Sequence, residues 1–454
     1  MDDGLRHALL GIAANSAAPP DVLLRLAAVP ATAERLAWDQ PDLPDVVVEA
    51  LLALENSTIA LALDRPRQSR ATRRRIAEHP NVEVREARRR FTEHTIKVGN
   101  RVMPDDLADY AGPDGLAGLA RHTDPVLRMA VAQTWDAMPV ALRRDLLTDP
   151  DPRVRRAATG YPHSSAPEDL HARLLADEAT REQAASYATL TPHAVQECLA
   201  GDDGVRAGLA VNPTLPAQAR DQLAADPDPH VRALLVLRQD LPEDRRRQLY
   251  ADLVAESDDP FDEAGIALMV TQQDRPSWVY ALDLAERIAH LDSPIPCFRL
   301  CAAGSADLPA EVVRRLHAHE DVNVRRLVAR RRDTPPEVLE RLVTEHGEVW
   351  HIEPLLVEHP NFPPEAFIRL ATAENPHRRA IAVQGPDLPA DVAAALAADP
   401  VAFVRAAAAR HRNIPVAALE TLLADDDHTV VEAAGANPAL PVELMRELLD
   451  RAGL

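Results

Sequence analysis

The chain has 454 residues, 46% apolar and 3% aromatic, with a formal charge of −21. The apolar share and the lack of low-complexity tracts exclude a disordered chain, and the acidic balance disfavours general binding to nucleic acid or anionic membranes. Three cysteines, Cys198, Cys297 and Cys301, are too few and odd in number for a disulfide framework.

Other features point the same way. No apolar run reaches the roughly 18 residues of a membrane span, and Met1 to Ala18 has no basic leader region. The expectation is a cytoplasmic protein with no membrane partner. Lys97 is the only lysine, which reads as the codon bias of a GC-rich, bacterial genome.

One frame recurs along the chain: a proline, usually an apolar residue three positions on, and a leucine at plus seven. It begins at Pro19 with Leu26 and Pro44 with Leu51; Ser69 then stands in for proline, with Ile76. Phe91 to Tyr110 breaks register as an insertion. Pro113, with Leu116 and Ala120, opens a weaker unit. The frame resumes at Pro139, Pro167, Pro192, Pro216 and Pro242, with Leu146, Leu174, Leu199, Leu223 and Leu249. Two units run long between Ala251 and Pro296, the second from Pro276. From Pro309 the prolines step by 26, 28, 26, 26 and 26 residues, through Pro335, Pro363, Pro389 and Pro415 to Pro441.

Such self-similarity predicts an all-α, right-handed solenoid of about 16 repeats of about 26 residues. The expected organisation is one solenoid over 1–454: N-terminal repeats 1–90, an insertion 91–110, central repeats 111–250, irregular long repeats 251–296, and C-terminal repeats with a polar cap 297–454.

Each unit reads as two short helical segments. In the segment from Asp226, Asp-Pro suits a helix start; a helix over Val231–Leu237 follows, and Pro242 opens a second reaching about Leu253. Proline inside a helix costs about 3 kcal/mol, so prolines at this period mark boundaries. Arg206, Arg232, Arg299, Arg325, Arg379 and Arg405 each lie ten residues before an anchor proline. Four residues after them come Ala210, Val236, Ala303, Ala329, Val383 and Ala409, small residues that let neighbouring repeats approach.

The resulting consensus is clearest in "VRAGLAVNPTLPAQARDQLAAD" (Val205–Asp226), "VRAAAARHRNIPVAALETLLAD" (Val404–Asp425) and "AANSAAPPDVLLRLA" (Ala13–Ala27). It resembles the bacterial leucine-rich repeat variant family and, more loosely, HEAT-type solenoids. That resemblance implies repeats pairing an α-helix with a short 3₁₀ segment in a right-handed superhelix, and a binding role without catalytic residues. The founding member's N-terminal iron–sulfur cysteines have no counterpart before Cys198, so no cofactor is expected.

Local candidates read mostly as structure. Cys297 and Cys301 sit in the apolar frame as buried residues. His346 and His351 of "HGEVWH" are five apart, not the four of a zinc-binding helix. "DDDH" (Asp425 to His428) falls at a capping turn. The arginine ladder could grip an acidic peptide, but its regularity favours pairing with neighbouring turns or packing between repeats. Arg65 to Arg101 is the anomaly, with 12 basic residues against four Glu.

The functional expectation is a non-enzymatic scaffold mediating protein–protein interaction. Trp38, Trp135, Trp278 and Trp350 are the first candidate contacts, because Trp is favoured in interface hot spots. The cluster Arg73, Arg74, Arg75, Arg88, Arg89 and Arg90 is the second. The alternative is a nucleic-acid-binding solenoid of HEAT-like build using 65–101, with DNA modification as its enzymatic form.

Overall fold

The computed structural model describes residues 2–64, 69–98, 100–111, 114–163, 165–350 and 352–454. They fold as short helices joined by tight turns, with no strand among them. Both segments of a repeat are α-helical in most units. Three-residue 3₁₀ turns occur at Glu168–Leu170, His290–Asp292 and Leu356–Glu358.

Helix starts follow the sequence logic. Asp124, Asp151, Asp228 and Asn375 each accept a hydrogen bond from the backbone N–H two residues on, with proline at the first helical position. The anchor prolines Pro216, Pro242, Pro309, Pro389, Pro415 and Pro441 are themselves the N-cap residues of the second helices. Ser69 fills this place too: its hydroxyl accepts from Thr72 N at 3.1 Å.

Plus seven from such a cap is a core position. Twelve of the thirteen leucines there are no more than 4% exposed, and burying each contributes about 1.5–3 kcal/mol. Leu199 is the exception and is only half-buried. In its repeat the cap is Thr191 and Pro192 is the first helical residue. The helix therefore starts one residue early, and Cys198, 2% exposed, takes the core place.

The chain divides into two compact units, Phe91–Leu327 and a composite of Met1–Arg90 with Val328–Leu454. In the first, Pro125–Thr134, Pro152–Thr159, Arg181–Ala185, Asp203–Val211, Pro229–Val236, Glu263–Gln273 and Pro296–Ala303 pack in succession. The irregular stretch thus keeps the stack, Glu263–Gln273 standing where a first helix belongs. Of the expected insertion, Pro104–Ala111 packs on Gly115–Leu119 and Pro125–Thr134. Pro113 lies outside the described residues.

In the composite unit the stack runs through the chain termini. Ala402–Ala409 packs on His428–Gly435, that helix on Asp3–Ala14, and then come Pro30–Asp39, Ser57–Leu63 and Val82–Arg85. The second helices follow in parallel: Val442–Arg451 meets Pro20–Ala27, which meets Asp45–Leu52. The last repeat is therefore not the polar cap expected of it. Its apolar face is covered by the first repeat, and Arg446 pairs with Asp21 at 3.0 Å. The approach is close: a Cβ on Gly11 would meet Glu432 O at 2.2 Å, and one on Gly435 would meet Ala8 O at 2.6 Å.

A polar ladder joins the repeats. The turn between the two helices leaves backbone carbonyls pointing at the next repeat, typically six and four residues before the anchor proline. The residue four before the next anchor supplies the donor. Gln40 Nε2 donates to Ala13 O and Asn15 O at 3.0 and 2.9 Å. Asn437 Nδ2 donates to Ala409 O and His411 O at 2.6 and 3.1 Å. Asn212 bridges Ala185 O and Ala188 O in the same manner. Across the termini, Asn15 Nδ2 donates to Gly435 O and Asn437 O at 3.0 and 2.6 Å. Asn15, Asn212 and Asn437 are at most 1% exposed.

A buried carbonyl stripped of its partner costs about 1–3 kcal/mol. Asn437→Ala orphans two, so it is expected to lower the unfolding free energy by about that amount or more in urea melts. A loss below about 0.5 kcal/mol, the scale of neutral surface changes, would remove the ladder from any account of stability.

Candidate functional site

The arginine ladder is consumed internally. Arg206, Arg379 and Arg405 form two-pronged pairs with Asp226, Asp399 and Asp425, each 20 residues on. Arg128 and Arg155 pair likewise with Asp149 and Asp177, and Arg299 meets Asp321 through Nη2 alone. A third guanidinium nitrogen often returns to its own repeat, as Arg405 Nη1 does to Asp399 O at 2.9 Å. The ladder thus ties each first helix to the next repeat's acidic turn. Arginine hydrogen bonding holds the carboxyls of Asp177, Asp399 and Asp425 below the usual range. Asp427, in "DDDH", caps its helix through Thr429 N.

The basic segment is heavily paired. Arg74 meets Glu78 at 2.8 Å and Arg75 meets Asp45 at 2.7 Å. Arg88 donates to Asp64 O at 2.7 Å, and Arg90 pairs with Glu83. Arg73 and Arg89 are exposed. Arg65 and Arg67 lie outside the described residues.

The four tryptophans do not form one site. Trp278 packs edge-to-face on Phe298 with ring centroids 5.4 Å apart, donates Nε1–H to Leu237 O at 2.8 Å and lies beneath the Arg246 guanidinium. Trp135 is half-buried against the core of the same unit. In the composite unit, Trp38 is 36% and Trp350 53% exposed.

Cys297 and Cys301 are fully buried. Burial pushes the Cys297 thiol up to about 12 and also raises Cys301, so neither is a ready nucleophile. In "HGEVWH", His346 ends the helix Pro336–His346, and His351 is outside the described residues. No group of three metal-ligating side chains occurs among the described residues. None of their helices is long and apolar enough to cross a membrane.

One feature was not anticipated from sequence: a cavity of about 460 Å³ between the repeats anchored at Pro363 and Pro389. Phe362, Phe367, Leu388 and Val357 give it apolar walls, and Glu358, Glu365 and Asp387 are its exposed carboxylates. Its size lies within the roughly 300–1,000 Å³ of ligand pockets. Glu348, after the helix Pro336–His346, is fastened to the cavity wall, its Oε1 accepting from Val357 N at 2.8 Å. Trp350 stands two residues from that fastening.

At the cavity a rung is missing. Gly385 occupies the ladder position, four before Pro389, where neighbouring repeats carry His359, His411 and Asn437. With no side chain there, the Phe367 side chain lies against the glycine, where a Cβ would meet it at 2.6 Å. The only sequence signal is glycine replacing the ladder residue, which is readable once the ladder is known.

The repeat beyond this cavity matches a known family. Residues 402–427 match the leucine rich repeat variant family. The matched segment contains Ala402–Ala409, Val416–Leu422 and the Arg405–Asp425 pair. A solved engineered protein from a structural genomics consortium aligns over 99% of both chains at 14% identity, with a TM-score of 0.13. That score is too low to carry any argument. No curated protein matches.

Two outcomes are expected. Trp278→Ala should cost about 3 kcal/mol, whereas Trp350→Ala should stay within about 0.5 kcal/mol; comparable melts for the two would contradict their placement. For Asp425, the lowered folded pKa means a stabilising contribution present above the unfolded value of about 3.9, lost as pH falls through the folded value. Asp425→Asn should be less stable by about 1–3 kcal/mol at neutral pH, with the gap closing below about pH 4. A gap unchanged down to pH 2 would sink the pairing.

Proposed function

We propose that this chain is a non-enzymatic repeat scaffold that binds a protein partner, with its principal contact on the composite unit at the cavity beside the Trp350 loop. The observation that carries this reading is the cavity itself, an apolar recess rimmed by carboxylates. Elsewhere the regular polar groups are spent between repeats. The family resemblance supports a binding role in the same direction. Trp350 and Trp38 are the partner-facing tryptophans under this reading, while Trp135 and Trp278 serve packing.

The nucleic-acid alternative rests on the basic segment, and the ion pairs of Arg74, Arg75 and Arg90 weaken it by lowering the charge left for phosphate. Photo-crosslinking separates the two. With p-benzoylphenylalanine at Trp350 or Ile368, a discrete protein adduct that survives nuclease is expected from native lysate; at Trp278 none is expected. Adducts that vanish with nuclease, together with low-salt binding of a labelled oligonucleotide lost in Arg73→Glu/Arg89→Glu, would favour the alternative. No adduct at any surface position would overturn the scaffold reading.

A further inference from the structure

We infer that the cavity at Gly385 is a receptor for an arginine side chain presented by a partner protein. The inference rests on the scaffold reading and goes further, naming the group that is bound.

The ladder's acceptors are backbone carbonyls six and four residues before each anchor. For Pro363 these are Val357 O and His359 O, and both residues line the cavity. Elsewhere both acceptors can be filled, as Ala409 O and His411 O are by Asn437 and Ala13 O and Asn15 O by Gln40, while the flanking His359 and His411 fill only the nearer one, Arg331 O and Gly385 O. Gly385 has nothing to donate. Val357 O has no donor among the described residues, and His359 O accepts from Phe362 N alone, at 2.8 Å. A carbonyl oxygen has two lone pairs, so the slot offers at least two open acceptor positions to a donor from outside.

The protein itself shows that a guanidinium fits such a slot. Arg238 Nη1 donates to Ala210 O and Asn212 O at 2.8 and 2.7 Å, the acceptor pair before Pro216. Arg246 Nε donates to Val236 O at 3.0 Å, and Nη2 donates to Arg238 O, the pair before Pro242. Arg246 also lies over the Trp278 and Phe298 rings at about 5 Å, a favourable cation–π arrangement. The open slot reproduces both elements, with Phe362 and Phe367 as the aromatic walls.

Charge selects the same ligand. Glu358, Glu365 and Asp387 line the cavity, and no Lys or Arg does. Glu358 also caps Leu355 N, and Arg412 pairs with Asp387 at 3.0 Å, so Glu365 is the carboxylate least engaged. Both ring nitrogens of His359 are engaged, Nδ1 accepting from Asn361 N and Nε2 donating to Arg331 O. A planar, multidentate cation with an aliphatic stem meets every one of these features.

The probe is N-acetyl-arginine N-methylamide, whose blocked ends mimic a chain segment, titrated into the full-length protein and read by methyl NMR at Val357, Ile368 and Leu388. Saturable shifts at these methyls are expected, at least tenfold tighter than for the norleucine and citrulline analogues. Gly385→Asn should supply the missing rung and abolish the shifts. Because Asn must displace the Phe367 ring, Gly385→Asn/Phe367→Leu provides a second filled slot, and Glu365→Gln, which leaves packing intact, should weaken binding several-fold. Equal binding of the norleucine analogue, undiminished binding in both filled-slot variants, or agmatine binding far above the blocked arginine would overturn the inference. A nuclease-resistant adduct at Trp350 unaffected by Gly385→Asn would overturn it while leaving the scaffold reading intact.

Discussion

A helix of seven or eight residues has few internal hydrogen bonds and leaves much of its backbone to be satisfied from outside. The chain meets this constraint by passing the obligation along the stack. In many repeats the inter-helix turn presents carbonyls, and the next repeat inserts Asn, Gln, His or Arg to bond them. Because those carbonyls are buried, the rungs are obligatory rather than ornamental. The interval between rungs fixes the repeat length, and the depth of each rung fixes how closely the helices approach.

Two further devices keep that spacing. Proline or a hydroxyl residue at the N-cap sets the phase of the second helix, and plus seven from the cap then falls in the core. Thr191 shows that the cap governs rather than the proline, for the core residue moves with it from Leu199 to Cys198. The arginine–aspartate pairs span the same interface on the outer edge. Together they explain why an acidic protein keeps regular arginines without offering them to an anion.

Function, on this view, sits where the repeat departs from its own rule. Gly385 removes a rung, the acceptors remain, and a recess opens with carboxylates around it. Departures elsewhere have different outcomes. The irregular stretch before Pro296 keeps its place in the stack through Glu263–Gln273, and Trp278 there is spent on packing beneath Arg246.

The sequence alone determined the all-α repeat, its helix starts, the buried plus-seven positions and the internal use of the arginines, because each depends on contacts within one repeat or with the next at a fixed offset. It did not separate Trp278 from Trp350, since burial depends on the facing repeat and not on residue type. It also missed the meeting of Asp3–Ala14 with His428–Gly435. Asn15 and Asn437 fit the ladder consensus wherever they stand, but only the fold makes one the donor to the other's carbonyl. Only the tertiary structure decided that Gly385 leaves a cavity, because an absent side chain has meaning only against the carbonyls it fails to reach.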